Sequence, residues 1–215
     1  MANYNDAFAL RNDKAGEVIA ERMRKRHFQA WYCKTAEEAR DKAISLISKE
    51  DTITFGGSYT AEQIGLLSAL KEGGYRVFDR KEAKTLEEKE EIIRKAFSSD
   101  VFITSFNAFT EDGQLINIDG NGNRVAAIAY GPKSVIAVIG MNKLTGDVED
   151  AFDRAQTIAA PVNAQRLELK SGCAKTGLCC DCLAEDTACC YYQRIRACRP
   201  AGKIKVILIG EDLGF

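Results

Sequence analysis

Histidine is almost missing from this chain: His27 is the only one in 215 residues. A Ser-His-Asp triad or a Cys-His nucleophile would hang on that one side chain, which sits beside the basic run Arg22, Arg24, Lys25 and Arg26 and reads as a surface residue at a helix end. Mixed Cys/His metal sites are disfavoured for the same reason. Charge of one sign is also lacking. Lys and Arg number 30 against 31 Asp and Glu, a formal net charge of −1, so no basic surplus points to nucleic acid. No apolar run reaches the roughly 18 residues needed to span a bilayer. There are only three prolines, and neither a low-complexity linker nor an internal repeat breaks the chain. With 46% hydrophobic residues disorder is excluded, and the length fits one sizeable core in a single domain. The opening Met-Ala-Asn-Tyr-Asn-Asp has no apolar signal segment, so the expected compartment is a reducing cytoplasm.

Cysteine is abundant and unevenly placed. Seven of the eight fall within the 26 positions from Cys173 to Cys198. Cys179 and Cys182 have the C-x-x-C spacing that lets one turn present two thiolates to a single metal. Cys173 before them and Cys189 after them, with Cys190 as a substitute, complete a set of four. The leading expectation is therefore a four-cysteine iron–sulfur or zinc site. Disulfides, a redox pair and unligated thiols are the competing readings. Two C-x-x-C knuckles would speak for zinc, whereas the spacing C-x5-C-x2-C-x6-C is irregular and leans towards a cluster. Cys33 stands apart and reads as a buried thiol at a strand end.

The apolar pattern along the chain predicts a parallel α/β sheet with flanking helices. Residues 1–30 form an N-terminal helical segment with a helix from Asp6 to Arg26, followed by a strand over His27–Cys33. Thr35 and Glu38 make a capping box for a helix. A strand at Asp51–Phe55 ends in Gly56-Gly57-Ser58, and Thr60 to Gln63 open a helix that directs Ile64, Leu67 and Leu70 inward. Strands are then expected at Tyr75–Asp79, Val101–Ser105, around Leu115 to Ile118, at Val125–Tyr130 and at Ser134–Gly140, with a charged helix over Lys81–Arg94. A further amphipathic helix starts at Asp147 and ends at Pro161. Residues 170–200 form a cysteine-rich excursion before a buried strand at Lys203–Ile209.

Three turns are candidates for chemistry. Gly56, Gly57 and Ser58 lie where a strand hands over to a helix, a place where backbone N–H groups can meet an anion, although a ligand-free tight turn fits equally. Asn107 and the Glu111-Asp112-Gly113 turn follow the central strand. Glu111 could serve as nucleophile or base, while Asp-Gly is also an ordinary hairpin turn. In Asp119-Gly-Asn121-Gly-Asn123-Arg124 a calcium loop fails, because Arg124 replaces the required glycine and Tyr130 the final glutamate. Asn121, Asn123 and Arg124 remain candidate ligands for a small anion.

The segments Gly56–Gly65, Asn107–Gly113, Asn117–Ala127, Gly131-Pro-Lys, Val138–Lys143 and the cysteine run together resemble the LUD domain of the lactate-utilisation protein family, over nearly the whole chain and in the right order. The resemblance implies one LUD-like domain over residues 1–215, with a fold related to ribose-phosphate isomerase, glucosamine-phosphate deaminase and the CoA-transferases. It further implies a part in oxidising lactate or a related organic acid, beside iron–sulfur or flavin dehydrogenase subunits. In CoA-transferases a glutamate in a Glu-x-Gly turn forms an acyl anhydride, and Glu111-Asp-Gly113 matches that pattern. Two other functions are compatible: an enzyme or binder of a small anionic metabolite, such as a CoA ester or sugar phosphate, and a non-catalytic partner subunit, with a homo-oligomer as a further expectation.

Overall fold

A computed structural model describes residues 4–215; the first three residues lie outside the described part. In chain order the strands are β1 (Gln29–Cys33), β2 (Thr52–Phe55), β3 (Arg76–Phe78), β4 (Val101–Thr104), β5 (Ala108–Thr110), β6 (Leu115–Asp119), β7 (Ser134–Gly140), β8 (Leu144–Thr145), β9 (Tyr191–Ile195) and β10 (Ile204–Ile209). The helices are α1 (Tyr4–Lys25), α2 (Ala36–Ser45), α3 (Tyr59–Gln63), α4 (Leu66–Glu72), α5 (Leu86–Lys95), α6 (Asn123–Ala129), α7 (Val148–Arg154), α8 (Ala160–Arg166) and α9 (Gly172–Thr176).

The main sheet has the order β1-β10-β7-β4-β2-β3, and every pairing in it is parallel. A parallel sheet needs cover on both faces, and strand alternation supplies it. Along β7, Val135, Ala137 and Ile139 join Ile19, Ala20 and Met23 of α1 in one core. Ile136 and Val138 join Ala39, Ala43, Ile64, Leu66 and Leu70 in the other. A second sheet, β8-β5-β6-β9, buries Ala108, Ile116 and Ile118 against Ala151 of α7 and Ala155 just after it.

The α/β architecture, the capping box at Thr35 and most strands follow the sequence pattern, while the cap expected at Thr60 falls on Ser58 and the charged helix expected from Lys81 starts at Leu86 behind Thr85. The Thr35 and Thr85 hydroxyls accept from the amides of Glu38 and Glu88, three residues on. Four local expectations need correction. Val125–Tyr130 is not a strand but most of α6, because the Asp119 carboxylate accepts from the amides of Arg124 and Val125 and so starts a helix, and Val125 and Ile128 supply its buried face. Pro161 does not end the helix begun at Asp147. A π-type turn at Ala155–Ala159 precedes it, which absorbs the missing N–H and the clash that proline brings to a regular helix. The helix after Gly57 is capped by Ser58 and broken at Gly65, in left-handed conformation at φ 68°. Leu66 rather than Leu67 thereby becomes the fully buried side chain. Finally, the cysteine-rich segment does not stand wholly apart, since it leads directly into β9, which pairs antiparallel with β6.

Ile136 is fully buried in the central strand. Its replacement by alanine is expected to destabilise the fold by about 2–5 kcal/mol, whereas Leu86→Ala, at a residue 75% exposed, should stay within about 0.5 kcal/mol. Urea denaturation of the two variants checks this difference.

Candidate functional site

All strands of the main sheet run the same way, so their carboxyl ends share one edge of the molecule. In open α/β sheets that edge is where ligands bind. Here β2 delivers Gly56 to Thr60, β3 delivers Arg80, β4 delivers Ser105 and Asn107, and β7 delivers Lys143 through a single 3-10 turn, Met141–Lys143. α6 and α7 add Arg124 and Arg154.

Lys143 is 2% exposed. Its Nζ donates to Thr60 Oγ1 at 3.1 Å and Ser105 Oγ at 3.2 Å. Both acceptors are neutral hydroxyls, and no carboxylate pairs with this amine. Burial, reinforced by the Arg154 and Arg124 charges, pushes the Lys143 ammonium down to about 7.

The neighbouring cations are tied to Lys143 through two residues. Arg124 Nη1 donates to the Ser105 carbonyl at 3.2 Å and to Asn117 Oδ1 at 2.6 Å, while Nη2 donates to Asn107 Oδ1 at 3.2 Å and to the Ile118 carbonyl at 2.7 Å. Arg154 Nη1 donates to the Asn107 carbonyl at 2.6 Å. Ser105 thus bridges Lys143 to Arg124, and Asn107 bridges Arg124 to Arg154. Arg80 shares a narrow pocket with Gly56, Phe102, Asn123 and Arg124 and repels Arg124 electrostatically. Its guanidinium makes no hydrogen bond or ion pair with any described residue. Gly57, at φ 73°, makes room for it, because a Cβ there would lie 2.5 Å from Arg80 Nη2.

None of Arg80, Arg124, Lys143 and Arg154 forms a salt bridge among the described residues. Asp119 attracts Arg80 and Arg124 electrostatically but spends a carboxylate oxygen on the α6 amides, and Asp79 and Glu62 act on Arg80 more weakly. In the same place Asn117 is fully buried and its Nδ2 has no hydrogen-bond partner. Unpaired cations beside an unpaired buried donor form an environment that an anion completes.

The expected ligand residues divide accordingly. Asn107, Asn123 and Arg124 belong to this cluster, and Gly57 shapes it. Gly56 is required by packing, since a Cβ there would approach Phe102 Cζ to 2.7 Å, and the Ser58 hydroxyl accepts from the Ala61 amide as a helix cap. Asn121 is exposed in the loop before α6. Glu111 is exposed, with its amide bonded to the Thr145 carbonyl and its own carbonyl to Arg22. Its carboxylate stands apart from the cationic cluster. Sequence reasoning missed roles for Thr60, Arg80, Ser105, Asn117, Lys143 and Arg154. The detectable signal was positional: Arg80, Ser105 and Lys143 each follow the carboxyl end of a strand within three residues.

The thiols form a second region. All eight cysteines are free. Burial, together with the thiolates of Cys173, Cys179 and Cys182, pushes the Cys189 thiol up to about 11, so these four feel one another electrostatically. Cys182 is lowered by backbone amides of Ala184 and Gly172 that donate to its sulfur. Gly172 lets Cys180 lie on the backbone, since a Cβ would collide with its Sγ. Among the described residues, no three Cys, His, Asp or Glu side chains stand close enough to hold one metal ion. The all-sulfur donor set suits a thiophilic metal, while the arrangement is too open for tetrahedral closure around a single ion.

The fold is a mainly parallel α/β sheet flanked by helices, with basic side chains at its carboxyl edge. The LUD domain model matches residues 16–209, and the chain belongs to the LUD-domain family. A DUF162 family protein from Deinococcus radiodurans is similar in structure, with a TM-score of 0.54 at 11% identity, covering 92% of this chain and 98% of that one. Ribose 5 phosphate isomerase A from Neisseria gonorrhoeae is similar over 54% of this chain and 56% of its own, at 15% identity and a TM-score of 0.35. No curated protein matches the chain. No helix among the described residues is long and apolar enough to cross a membrane.

Lys143 makes the site pH-sensitive. Its folded-state value lies below its unfolded one, so between about pH 7 and the ordinary lysine range the unfolded chain binds the extra proton and stability rises with pH. Relative to Lys143→Met, the parent protein should gain up to ~4 kcal/mol between pH 6 and pH 10. Chemical denaturation at several pH values measures it, and parallel profiles for the two proteins would contradict the assignment.

Proposed function

We propose that this LUD-domain protein binds a small anionic metabolite at the carboxyl ends of its parallel strands, within lactate or related organic-acid metabolism. The observation that carries the reading is the set of cations Arg80, Arg124, Lys143 and Arg154 without carboxylate partners, at the edge where α/β sheets take ligands. Uncompensated buried charge is destabilising, and a bound anion offsets it. A carboxylate, a sugar phosphate or a CoA ester would each satisfy the electrostatics. Small size favours a carboxylate, because the pocket beside Arg80 is narrow. The location of Glu111 outside this cluster favours binding through Lys143 and the arginines over acyl transfer to Glu111.

In a panel of lactate, pyruvate, ribose 5-phosphate and acetyl-CoA, at least one anion at 100 times its Kd should stabilise the protein by about 2.7 kcal/mol, read as a rise in melting temperature. Arg80→Gln should weaken that ligand about tenfold or more, since it removes a guanidinium with no structural partner, and Glu111→Ala should not. An unchanged melting temperature across the panel would count against the site.

The cysteine segment is proposed as a separate centre. Cys173, Cys179, Cys182 and Cys189 would hold an iron–sulfur cluster, with zinc as the alternative; the crowding of seven cysteines into one segment and the all-sulfur donor set support the reading. Such a centre would supply electron transfer to a dehydrogenase subunit, or a structural staple if it is zinc. Anaerobically purified protein is expected to be brown, with iron and sulfide in equal amounts. Cys182→Ala should lose the colour and Cys33→Ala keep it; colourless protein with stoichiometric zinc would assign the staple instead.

A further inference from the structure

A small anion alone would be served by the arginines, and a buried lysine among them adds something different. Lys143 has the surroundings of an amine that gives up its proton. Its partners are hydroxyls, the charged groups facing it are the guanidiniums of Arg124 from α6 and Arg154 from α7, and no acid faces it. A neutral amine is a nucleophile for carbonyl carbon. The adjacent cations select a molecule that carries a negative charge close to that carbonyl. Arg154 is bound at Nη1 and Nε to the carbonyls of Asn107 and Asn142, which leaves Nη2 free to donate. Asn117 Nδ2 adds a buried donor with no acceptor.

We propose that Lys143 is a catalytic residue that forms an imine with a 2-oxo carboxylate, whose carboxylate is held by Arg154 and Asn117 in the field of Arg124. The inference rests on the anion-site reading above and names its substrate class. The Nζ lone pair forms the bond to the ketone carbon as the C–O π pair moves to oxygen. Loss of the two amine protons to that oxygen releases one water and leaves the C=N bond. Ser105 and Thr60, both bonded to Nζ, are placed to relay these protons. No oxidant or reductant enters the step.

The segment Leu213 to Phe215 passes beside Nζ. Gly214 is the closest approach, since a Cβ there would lie 2.8 Å from Lys143 Nζ. The segment is attached through side chains: Asn142 Nδ2 donates to the Gly214 carbonyl at 3.3 Å, Asn142 Oδ1 accepts from the Leu213 amide at 3.1 Å, and Gln63 Oε1 accepts from the Gly214 amide at 2.6 Å. Thr60 Oγ1 also donates to the Leu213 carbonyl at 3.4 Å, Phe215 stacks on Tyr59 and Leu213 belongs to the second core, so baring Nζ on this side displaces one core side chain at the chain's end.

The test is reductive trapping on the full chain at about pH 7.5, where the neutral fraction of this amine exceeds that of an ordinary lysine by roughly a hundredfold or more. The protein is incubated with pyruvate and borohydride, and with acetate as the anion that lacks a carbonyl; peptide masses locate the adduct and melting temperatures report binding. The expected result is an added mass equal to pyruvic acid less one oxygen, on Lys143, at least about tenfold above the exposed Lys133 as the more reactive amine predicts, and absent with acetate. Lys143→Arg should lose the adduct while keeping a melting shift. A melting shift with pyruvate but no Lys143 adduct, or adducts spread evenly over surface lysines, would overturn the imine and leave the anion site standing. Neither shift nor adduct would overturn both.

Discussion

Six parallel strands finish on the same side of the molecule, and four cations there, Arg80, Arg124, Lys143 and Arg154, form no salt bridge among the described residues. Lys143 shows the constraint most sharply, as an amine at 2% exposure held only by the hydroxyls of Thr60 and Ser105. A folded chain tolerates such an amine by letting its proton go, or by taking up an anion that restores it. The remaining geometry serves that choice. Arg124 is fixed by four neutral acceptors rather than by a carboxylate. Gly57 yields space to the Arg80 guanidinium, and Asn107 holds two arginines by its two ends.

The sheet behind this edge is rigid for ordinary reasons. β7 and β10 alternate their side chains between two fully buried cores, so the strand ends have little freedom to move with respect to one another. A site assembled from β2, β3, β4 and β7 is thereby positioned by packing rather than by loop conformation. The Cys173 to Cys190 region has a different character: short α9, loops, and thiols more exposed than the cores. Its connection to the scaffold is β9 against β6, the strand that also carries Asn117.

Much of the architecture was legible in the residue pattern, because local chemistry determines it. Thr35 caps its helix through its own hydroxyl, and the apolar runs at Val101 and Ser134 are short enough to be only strands. α6 escaped because Val125–Tyr130 is as apolar as a strand, and the deciding contact, Asp119 to the amides of Arg124 and Val125, is a choice between a turn and a cap. Arg124 and Asn107 were identifiable from their loops. Lys143, Arg154 and Arg80 were not, since a lysine or arginine in sequence reads as surface charge. Only folding reveals that they gather at one edge without forming a salt bridge. Glu111 stands out by motif, and its side chain is exposed.

The most direct test of the strand-end site follows the protonation of Lys143 itself, by NMR titration of protein carrying 13C at the lysine ε position, with the resonance assigned through Lys143→Arg. One lysine should titrate near pH 7 in the free protein, and its midpoint should move upward when a bound carboxylate supplies the missing negative charge. Titration of every lysine together near the ordinary value of about 10.4, with or without added anions, would contradict the account.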